Sequence, residues 1–241
     1  WPDYRRPTTE ECRVVEQALS KHHRERARPE KQPDASHTVC GCGEVEHLID
    51  GLLHVLLSKK TSGGNANKAL IGLFEAYGSH YKTVPWNAVR LGSVETLKGA
   101  IRSGGLADKK SREIKQILNI AYNEDSRRRR LSSLMYTEDD MLQSLDYLRE
   151  LDTSNIYNKL IQFEGVGQKS VACVLLLNCR RPVLATDTHV FDISMRLRWG
   201  RAPFLATRVK VFAHLDVRVP DKLKYSIHQL MVEHGRTCTR C

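Results

Sequence analysis

The chain has 241 residues, enough for one sizeable hydrophobic core or two smaller lobes. Its hydrophobic content of 41% excludes disorder throughout, and no apolar run reaches the roughly 18 residues that a membrane span needs. Lys and Arg total 38 against 28 Asp and Glu, a net charge of +10, which favours a polyanionic partner such as nucleic acid. An ordinary basic enzyme is the alternative interpretation of this charge.

The start of the chain and its cysteines indicate the cellular setting. The polar start WPDYRRP has no initiator Met and no secretory signal, so we expect a trimmed domain of a longer protein. Seven cysteines without regular spacing predict a reducing compartment rather than a disulfide framework. Cys173 and Cys179 lie in or beside an apolar helix and are predicted to be small core residues.

Apolar residues recur at helical spacing along most of the chain. The first helix is predicted from Thr9 to about Arg26, with Thr8 or Thr9 as its N-cap, followed by a linker rich in Pro, Gly and small polar residues. Further helices are predicted over residues 44–58, 66–78, 93–105, 106–123, 147–163, 170–179, within 181–200, and over 221–235. Because no alternating strand pattern occurs, the predicted fold class is all-α.

Two details of this pattern are specific. Asp108 is a candidate N-cap for the helix that follows a Gly pair. The segment SRRRRLSSLMYTEDD, residues 126–140, is predicted to be an exposed insertion. Its arginine run indicates either a solvated charged patch or a phosphate contact.

The segment EGVGQKS, Glu164 to Ser170, places two glycines before a lysine and the apolar run VACVLLL. It fits neither a P-loop nor a dinucleotide fingerprint, because Gln168 and Ser170 stand where those motifs need glycine. A helix, a short hairpin and a second helix remain as the arrangement. The hairpin glycines and the first N–H groups of the second helix predict a phosphate site that is independent of base sequence. Simple packing of the two helices is the alternative.

A lysine and an aspartate suggest chemistry for this region. Lys169 falls in the first turn of the helix after the hairpin, where an apolar setting and the helix dipole would lower the pKa of its amine. A neutral amine is a nucleophile that forms Schiff bases. Asp187, in TDTHVFDI, is predicted to be a helix N-cap whose carboxylate could also move protons. Capping alone is the alternative role for Asp187.

The run FEGVGQKSVACVLLLN and the later ATDTHVFDI closely resemble the helix-hairpin-helix (HhH-GPD) DNA glycosylase superfamily, in particular its endonuclease III-like branch. HLIDGLLHVLLS, ANKAL, IRSGGLADKKSREIKQIL and MVEHGRTC extend the resemblance over most of residues 44–238. It implies a two-lobed all-α fold with the helix-hairpin-helix motif at the cleft between the lobes. Three parts are implied. Residues 1–42 form a helix and linker that join the second lobe, and residues 43–159 form a helical barrel. Residues 160–241 form the motif and the C-terminal lobe.

The resemblance also implies a function and residue roles. The chain would be a bifunctional DNA glycosylase/AP lyase of base excision repair that removes a damaged base, by family habit an oxidised pyrimidine, from duplex DNA. Lys169 would be the Schiff-base nucleophile, and Asp187 would assist departure of the base. Two implied DNA-binding residues lie outside the hairpin: Lys60 stands in place of the family's gap-filling glutamine, and Leu106 wedges into the opposing strand. The others belong to the hairpin and are Gly165, Val166, Gly167, Gln168 and Ser170.

Alternatives stay open at this point. The same fold could remove mismatched, alkylated or methylated bases, or act chiefly as an AP lyase. A non-catalytic DNA-binding module is the second alternative, since Lys60 and Glu164 depart from the usual glutamine and proline. The expected state is a monomer on double-stranded DNA, without a membrane, and nuclear in a eukaryote.

Cofactor expectations follow from the end of the chain. Many relatives carry four C-terminal cysteines for an iron–sulfur cluster, but HGRTCTRC offers only Cys238 and Cys241, so no cluster and no metal ligand are predicted. Cys40 and Cys42 are weak candidates to complete a metal site. The resemblance also implies a possible monovalent cation on the hairpin carbonyls. His189, Tyr225 and His234 are predicted to be packing residues.

Overall fold

The protein is described by a computed structural model that covers residues 1–30, 44–78, 83–132, 145–201 and 206–239. All regular elements within these ranges are helical, which confirms the predicted all-α class. The α-helices are α1 (Thr9–His23), α2 (Leu48–Leu57), α3 (Gly63–Tyr77), α4 (Trp86–Leu91), α5 (Val94–Ala100), α6 (Ala107–Ser132), α7 (Thr153–Leu160), α8 (Gln168–Cys173), α9 (Thr188–Arg196), α10 (Arg208–Arg218) and α11 (Asp221–Thr237).

Three shorter helical elements complete the described residues. The 3-10 turns Arg102–Gly104 and Asp146–Glu150 precede α6 and α7, and a π-helical turn, Val174–Asn178, continues α8. Within the part of the chain that the structure describes, no helix has both the length and the hydropathy that a membrane crossing requires.

Packing divides the chain into two compact units. The first unit joins Trp1–Glu30 to Arg180–Cys241, and the second is Lys31–Cys179. In the second unit, α8 and the π-helical turn pack on α2 and on α7. The hairpin and α8 therefore group with the middle of the chain, whereas residues 160–179 were predicted to belong to the C-terminal part.

The first unit is built around the contact of α1 with α11, and α11 also packs on α9. Thr8 is the N-cap of α1 and forms a capping box with Glu11, as the sequence predicted. The core of this unit contains apolar side chains from both ends of the chain, namely Cys12, Leu184, Val190, Ile193, Trp199, Val211, Leu215, Val219, Ile227, Met231 and Val232.

The second unit has α2 at its centre, and all ten residues of this helix are buried. Gly51 lets the π-helical turn approach closely, because a Cβ on residue 51 would lie 2.3 Å from Cγ of Asn178. Asp50, also on α2, accepts hydrogen bonds from Thr83 Oγ1 and from Nε1 of Trp86. A mostly apolar helix whose one carboxylate is hydrogen-bonded is suited to the interior of the unit.

Two predictions of the sequence analysis are wrong in detail. Asp108 is not an N-cap, because α6 begins at Ala107 and Asp108 lies in its first turn, where Lys98 Nζ approaches its Oδ1 to 2.6 Å. The first part of the insertion predicted from residue 126 is helical, because α6 continues to Ser132; the rest of that segment, 133–140, lies outside the described residues. The predicted burial of Cys173 and Cys179 is confirmed, at 0% and 8% exposure.

Candidate nucleic-acid site

The hairpin joins α7 to α8 through a tight turn. The N–H of Phe163 donates to the carbonyl of Leu160, and the N–H of Val166 donates to the carbonyl of Phe163, at 3.2 and 3.1 Å. Gly165 has a φ of +79°, which favours glycine, and Gly167 is the N-cap of α8. The first N–H groups of α8 have no intrahelical partner, so they can donate to an anion such as a phosphate.

The Gly165 turn is held from behind by side chains that the sequence analysis did not select. Lys59 Nζ donates to the carbonyl of Gly165 at 2.8 Å and lies 3.6 Å from Oε1 of Glu113. Lys109 Nζ lies 3.8 Å from the same oxygen. The side chain of Glu113 is 2% exposed, so a buried carboxylate stands between two ammonium groups directly behind the turn.

Lys169 lies where the sequence predicted, in the first turn of α8, but its surroundings differ. Its side chain is exposed, so the expected apolar setting is wrong. The difference arises because α8 is buried from Ser170 to Cys173, and Lys169 precedes that buried stretch. An exposed position leaves the side chain accessible to a large substrate.

The hairpin residues predicted to bind DNA differ in exposure. Gly167 is exposed, and Gly165 and Gln168 are half-buried. Val166 is 6% exposed and Ser170 is 9% exposed. A contact from Val166 would therefore come from its backbone, because its side chain packs in the core.

Lys60 and Leu106 occupy loops with unusual backbone conformation. Their φ values are +51° and +53°, and five non-glycine residues in the described ranges have positive φ. Lys60 is exposed and Leu106 is 48% exposed. Left-handed backbone at a non-glycine residue costs on the order of 1 kcal/mol, and such strain concentrates at functional sites.

One buried lysine connects these two loops. Lys110, which is 1% exposed, donates from Nζ to the carbonyl of Leu57 at 2.6 Å and to that of Gly104 at 2.9 Å. Leu57 ends α2 just before Lys60, and Gly104 lies two residues before Leu106. The two loops are therefore held to each other by a charge-assisted interaction.

Asp187 lies in the first unit and is the N-cap of α9, as the sequence predicted. Its Oδ1 accepts a hydrogen bond from the N–H of Val190 at 2.8 Å. The side chain is half-buried. The N–H donor therefore gives the carboxylate a fixed orientation.

The residues after Asp187 are positioned by α11. A Cβ on Gly235 would lie 2.4 Å from Nδ1 of His189, so the glycine of the HGR segment allows α11 to approach the start of α9 closely. Tyr225 lies under the guanidinium of Arg28, 4.3 Å from the ring centroid. Both contacts agree with packing roles for His189 and Tyr225.

The structure bears on the cofactor predictions in two places. Lys59 Nζ donates to the carbonyl of Gly165, one of the hairpin carbonyls predicted to hold a monovalent cation, and that cation stays a prediction. Cys238 is half-buried, while Cys40, Cys42 and Cys241 lie outside the described residues. The expected absence of an iron–sulfur cluster stays a prediction.

Lys59, Lys110 and Glu113 were missed because their roles depend on contacts distant in sequence. Lys59 and Gly165 are 106 positions apart, and Lys110 and Leu57 are 53 apart. A local signal existed for Glu113, since Lys109 precedes it by four residues on α6. That spacing predicts a surface ion pair and gives no indication of burial.

No family model matches the chain, but individual proteins do. An Arabidopsis thaliana protein named "putative DNA glycosylase" is 35% identical over 258 residues, covering 100% of this chain and 80% of its own length. Endonuclease III of Sulfolobus acidocaldarius is 24% identical over 199 residues, covering 82% and 77%. The DNA glycosylase/AP lyase ROS1 of Arabidopsis thaliana is 26% identical over 189 residues, which span 72% of this chain and 12% of ROS1.

Solved structures share the fold at lower identity. An endonuclease III–DNA complex aligns with a TM-score of 0.66 at 22% identity, over 95% of this chain and 86% of that one. MBOgg1 in complex with a low-affinity DNA ligand aligns with a TM-score of 0.65 at 18% identity, over 92% and 66%. These likenesses confirm the fold that the sequence resemblance implied.

Proposed function

Because the chain belongs to the helix-hairpin-helix DNA glycosylase superfamily, we propose that it is a bifunctional DNA glycosylase and AP lyase of base excision repair. The observation that carries the proposal is the position of Lys169, exposed in the first turn of α8 and directly after the Gly165–Gly167 hairpin. An amine placed beside a phosphate-binding turn is suited to attack the sugar of the nucleotide that the turn holds.

The proposed reaction begins when the target nucleotide leaves the base stack, because its C1′ is shielded inside a duplex. After losing its ammonium proton, the Lys169 amine attacks C1′, and the bond to the base breaks; the base leaves with the electron pair and takes up a proton. The amine loses protons and the sugar ring opens, giving an imine. Loss of a proton from C2′ then expels the 3′ phosphate, which leaves with the electrons of the C3′–O bond.

Asp187 is assigned the proton transfers that accompany base departure. The N–H of Val190 holds one of its carboxylate oxygens at 2.8 Å, so the group keeps a defined orientation at the start of α9. We expect Asp187→Asn to slow base release by on the order of 100-fold, the usual contribution of a positioned acid–base group. Attack on a preformed abasic site needs no base departure, so it is less affected.

The substrate class rests on the resemblance and on the character of the relatives. ROS1 is named a glycosylase/AP lyase, which supports lyase action by a shared fold. We assign an oxidised pyrimidine in duplex DNA as the substrate, a monomer as the active form, and the nucleus as the compartment in a eukaryote. Because Lys60 stands in place of the family's glutamine, we expect this chain to differ from its relatives in its preference for the base opposite the lesion.

Borohydride trapping tests the proposal. The reductant converts the imine into a stable protein–DNA bond, so the wild-type chain should give a covalent adduct with duplexes that carry an abasic site or an oxidised pyrimidine. Lys169→Gln should give none, while Lys222→Gln, an exposed lysine on α11, should trap as wild type does. A wild-type chain that binds such duplexes without any adduct would instead be a non-catalytic DNA-binding module.

A panel of duplexes decides the lesion. Adducts with oxidised pyrimidines support the assigned substrate. Adducts formed with mismatched, alkylated or methylated bases would show a different substrate specificity with the same mechanism. Adducts with abasic sites alone would make the chain chiefly an AP lyase.

A further inference from the structure

Three histidines meet where two helices of the first unit end. His22 and His23 close α1, and His234 lies in the last turn of α11. One ring nitrogen of each lies within 4.8 Å of those of the other two, and Nε2 of His23 is 2.8 Å from Nδ1 of His234. The three rings meet edge to face, with centroids 4.5, 5.0 and 6.1 Å apart.

The spacing of these nitrogens matches the needs of a transition-metal ion. Imidazole nitrogens lie about 2.0–2.1 Å from Zn²⁺, which places two ligands of a tetrahedral ion about 3.4 Å apart. Separations between 2.8 and 4.8 Å bracket that value, so small side-chain rotations direct the three lone pairs to one point. His22 is exposed and the other two are half-buried, which leaves the fourth position of the ion open to water.

The helix dipoles at this place favour a cation. The ends of α1 and α11 converge here, and each helix carries about −0.5 of a charge at its C-terminus.

From this geometry we infer that His22, His23 and His234 form a binding site for a divalent transition-metal ion, best suited to Zn²⁺, which clamps α1 onto α11. Imidazole ligands suit Zn²⁺, Cu²⁺ and Ni²⁺, and three of them with one open position is a common zinc arrangement. The ion replaces the hydrogen bond between His23 and His234 with bonds to all three rings. Sequence analysis predicted no metal ligand, since His23 and His234 are 211 positions apart.

Zinc binding by the full 241-residue chain, kept reduced, tests this inference. Equilibrium dialysis against ZnCl2 should find one ion per chain whose affinity falls at least tenfold in each of His22→Gln, His23→Gln and His234→Gln. ZnCl2 should also raise the Tm of the wild type and have less effect on these variants. Lys21→Gln, beside the cluster on α1, and Cys238→Ser, at the end of α11, are matched controls that should bind zinc as the wild type does.

Three results overturn the inference. These are no bound zinc in the wild type, equal binding by the wild type and all three histidine variants, or loss of binding in Cys238→Ser. Co²⁺ gives a second readout, because a thiolate charge-transfer band in its spectrum would show cysteine ligands instead. Should His23→Gln or His234→Gln fail to fold, His22→Gln still decides, since its ring is exposed. Lys169→Gln leaves the cluster intact, so failure of the proposed reaction does not affect this test.

Discussion

The carboxylate of Glu113 occupies the position that a side chain on residue 165 would take: a Cβ added to Gly165 would lie 2.2 Å from Cδ of Glu113. The same glycine has a φ of +79°. The hairpin turn therefore excludes every side chain at residue 165, both through its backbone conformation and through a side chain from α6. Gly167 differs, because no atom lies within 4 Å of its virtual Cβ.

We expect Gly165→Ala to destabilise the protein by about 3 kcal/mol, of which roughly 1–2 reflect the left-handed backbone and the rest the clash with Glu113. Gly167→Ala should change the free energy of unfolding by less than about 1 kcal/mol. Chemical unfolding measures both. In a Glu113→Ala background, Gly165→Ala should lose only the part of the destabilisation that comes from the clash. If Gly165→Ala destabilises the protein equally with and without Glu113, this account is contradicted.

Lys110 should contribute to the free energy of unfolding. Lys110→Met removes the donor to the carbonyls of Leu57 and Gly104 in a buried place, so we expect a loss of about 3 kcal/mol in the free energy of unfolding. Lys109→Met is the matched control; its ammonium is exposed, so it should cost at most about 1 kcal/mol. Equal costs at the two positions would show that the Lys110 bridge contributes no stability.

The positive φ values of Lys60 and Leu106 predict a conflict between stability and activity. Lys60→Gly and Leu106→Gly should each stabilise the fold by up to about 1 kcal/mol, because glycine adopts this conformation without strain. Both should reduce activity on damaged duplexes, since the side chains proposed to contact DNA are lost.

Arg198→Gly is the matched control for these two variants. Arg198 has a φ of +57°, is exposed and has no proposed role in DNA contact. It should gain stability with unchanged activity. Undiminished activity of Lys60→Gly and Leu106→Gly in the same assay would remove these residues from the proposed DNA contacts.

Two groups on α2 should have opposite effects on the pH dependence of stability. Burial lowers the pKa of His54 from 6.5 to about 4, so between these values the unfolded chain binds the extra proton and stability falls as pH falls. Burial raises the pKa of Asp50 from 3.8 to about 6, although Thr83 and Trp86 donate hydrogen bonds to it. Between pH 6 and 3.8 the folded protein binds that proton, so stability rises as pH falls.

Each effect amounts to about 3 kcal/mol over its range, so the two nearly cancel between pH 6 and 4 in the wild type. Replacing one group should reveal the other. Asp50→Asn should lose stability on going from pH 7 to pH 4.5, while His54→Leu should gain it. Urea unfolding at the two pH values measures the change, and parallel behaviour of the two variants would refute the assignment.

The described elements show what local sequence determines. The caps Thr8 and Asp187 and the placement of Lys169 after the hairpin could be predicted, because capping and helical spacing act within a few residues. The exposure of Lys169 could not be predicted, because it depends on how α8 packs on α2. Asp108 was predicted to be a cap from its residue type, but α6 starts two residues earlier than that cap would require, directly after the left-handed Leu106.

The packing of α1 on α11 has a consequence for the order of events during synthesis. A ribosome completes the last helix of the first unit only after it has made every residue of the second, so α1 emerges long before its partner exists. Until then the apolar face that includes Cys12 has no native surface to cover it. A growing chain of this protein therefore presents an uncovered N-terminal helix to chaperones and proteases while its middle is already able to collapse.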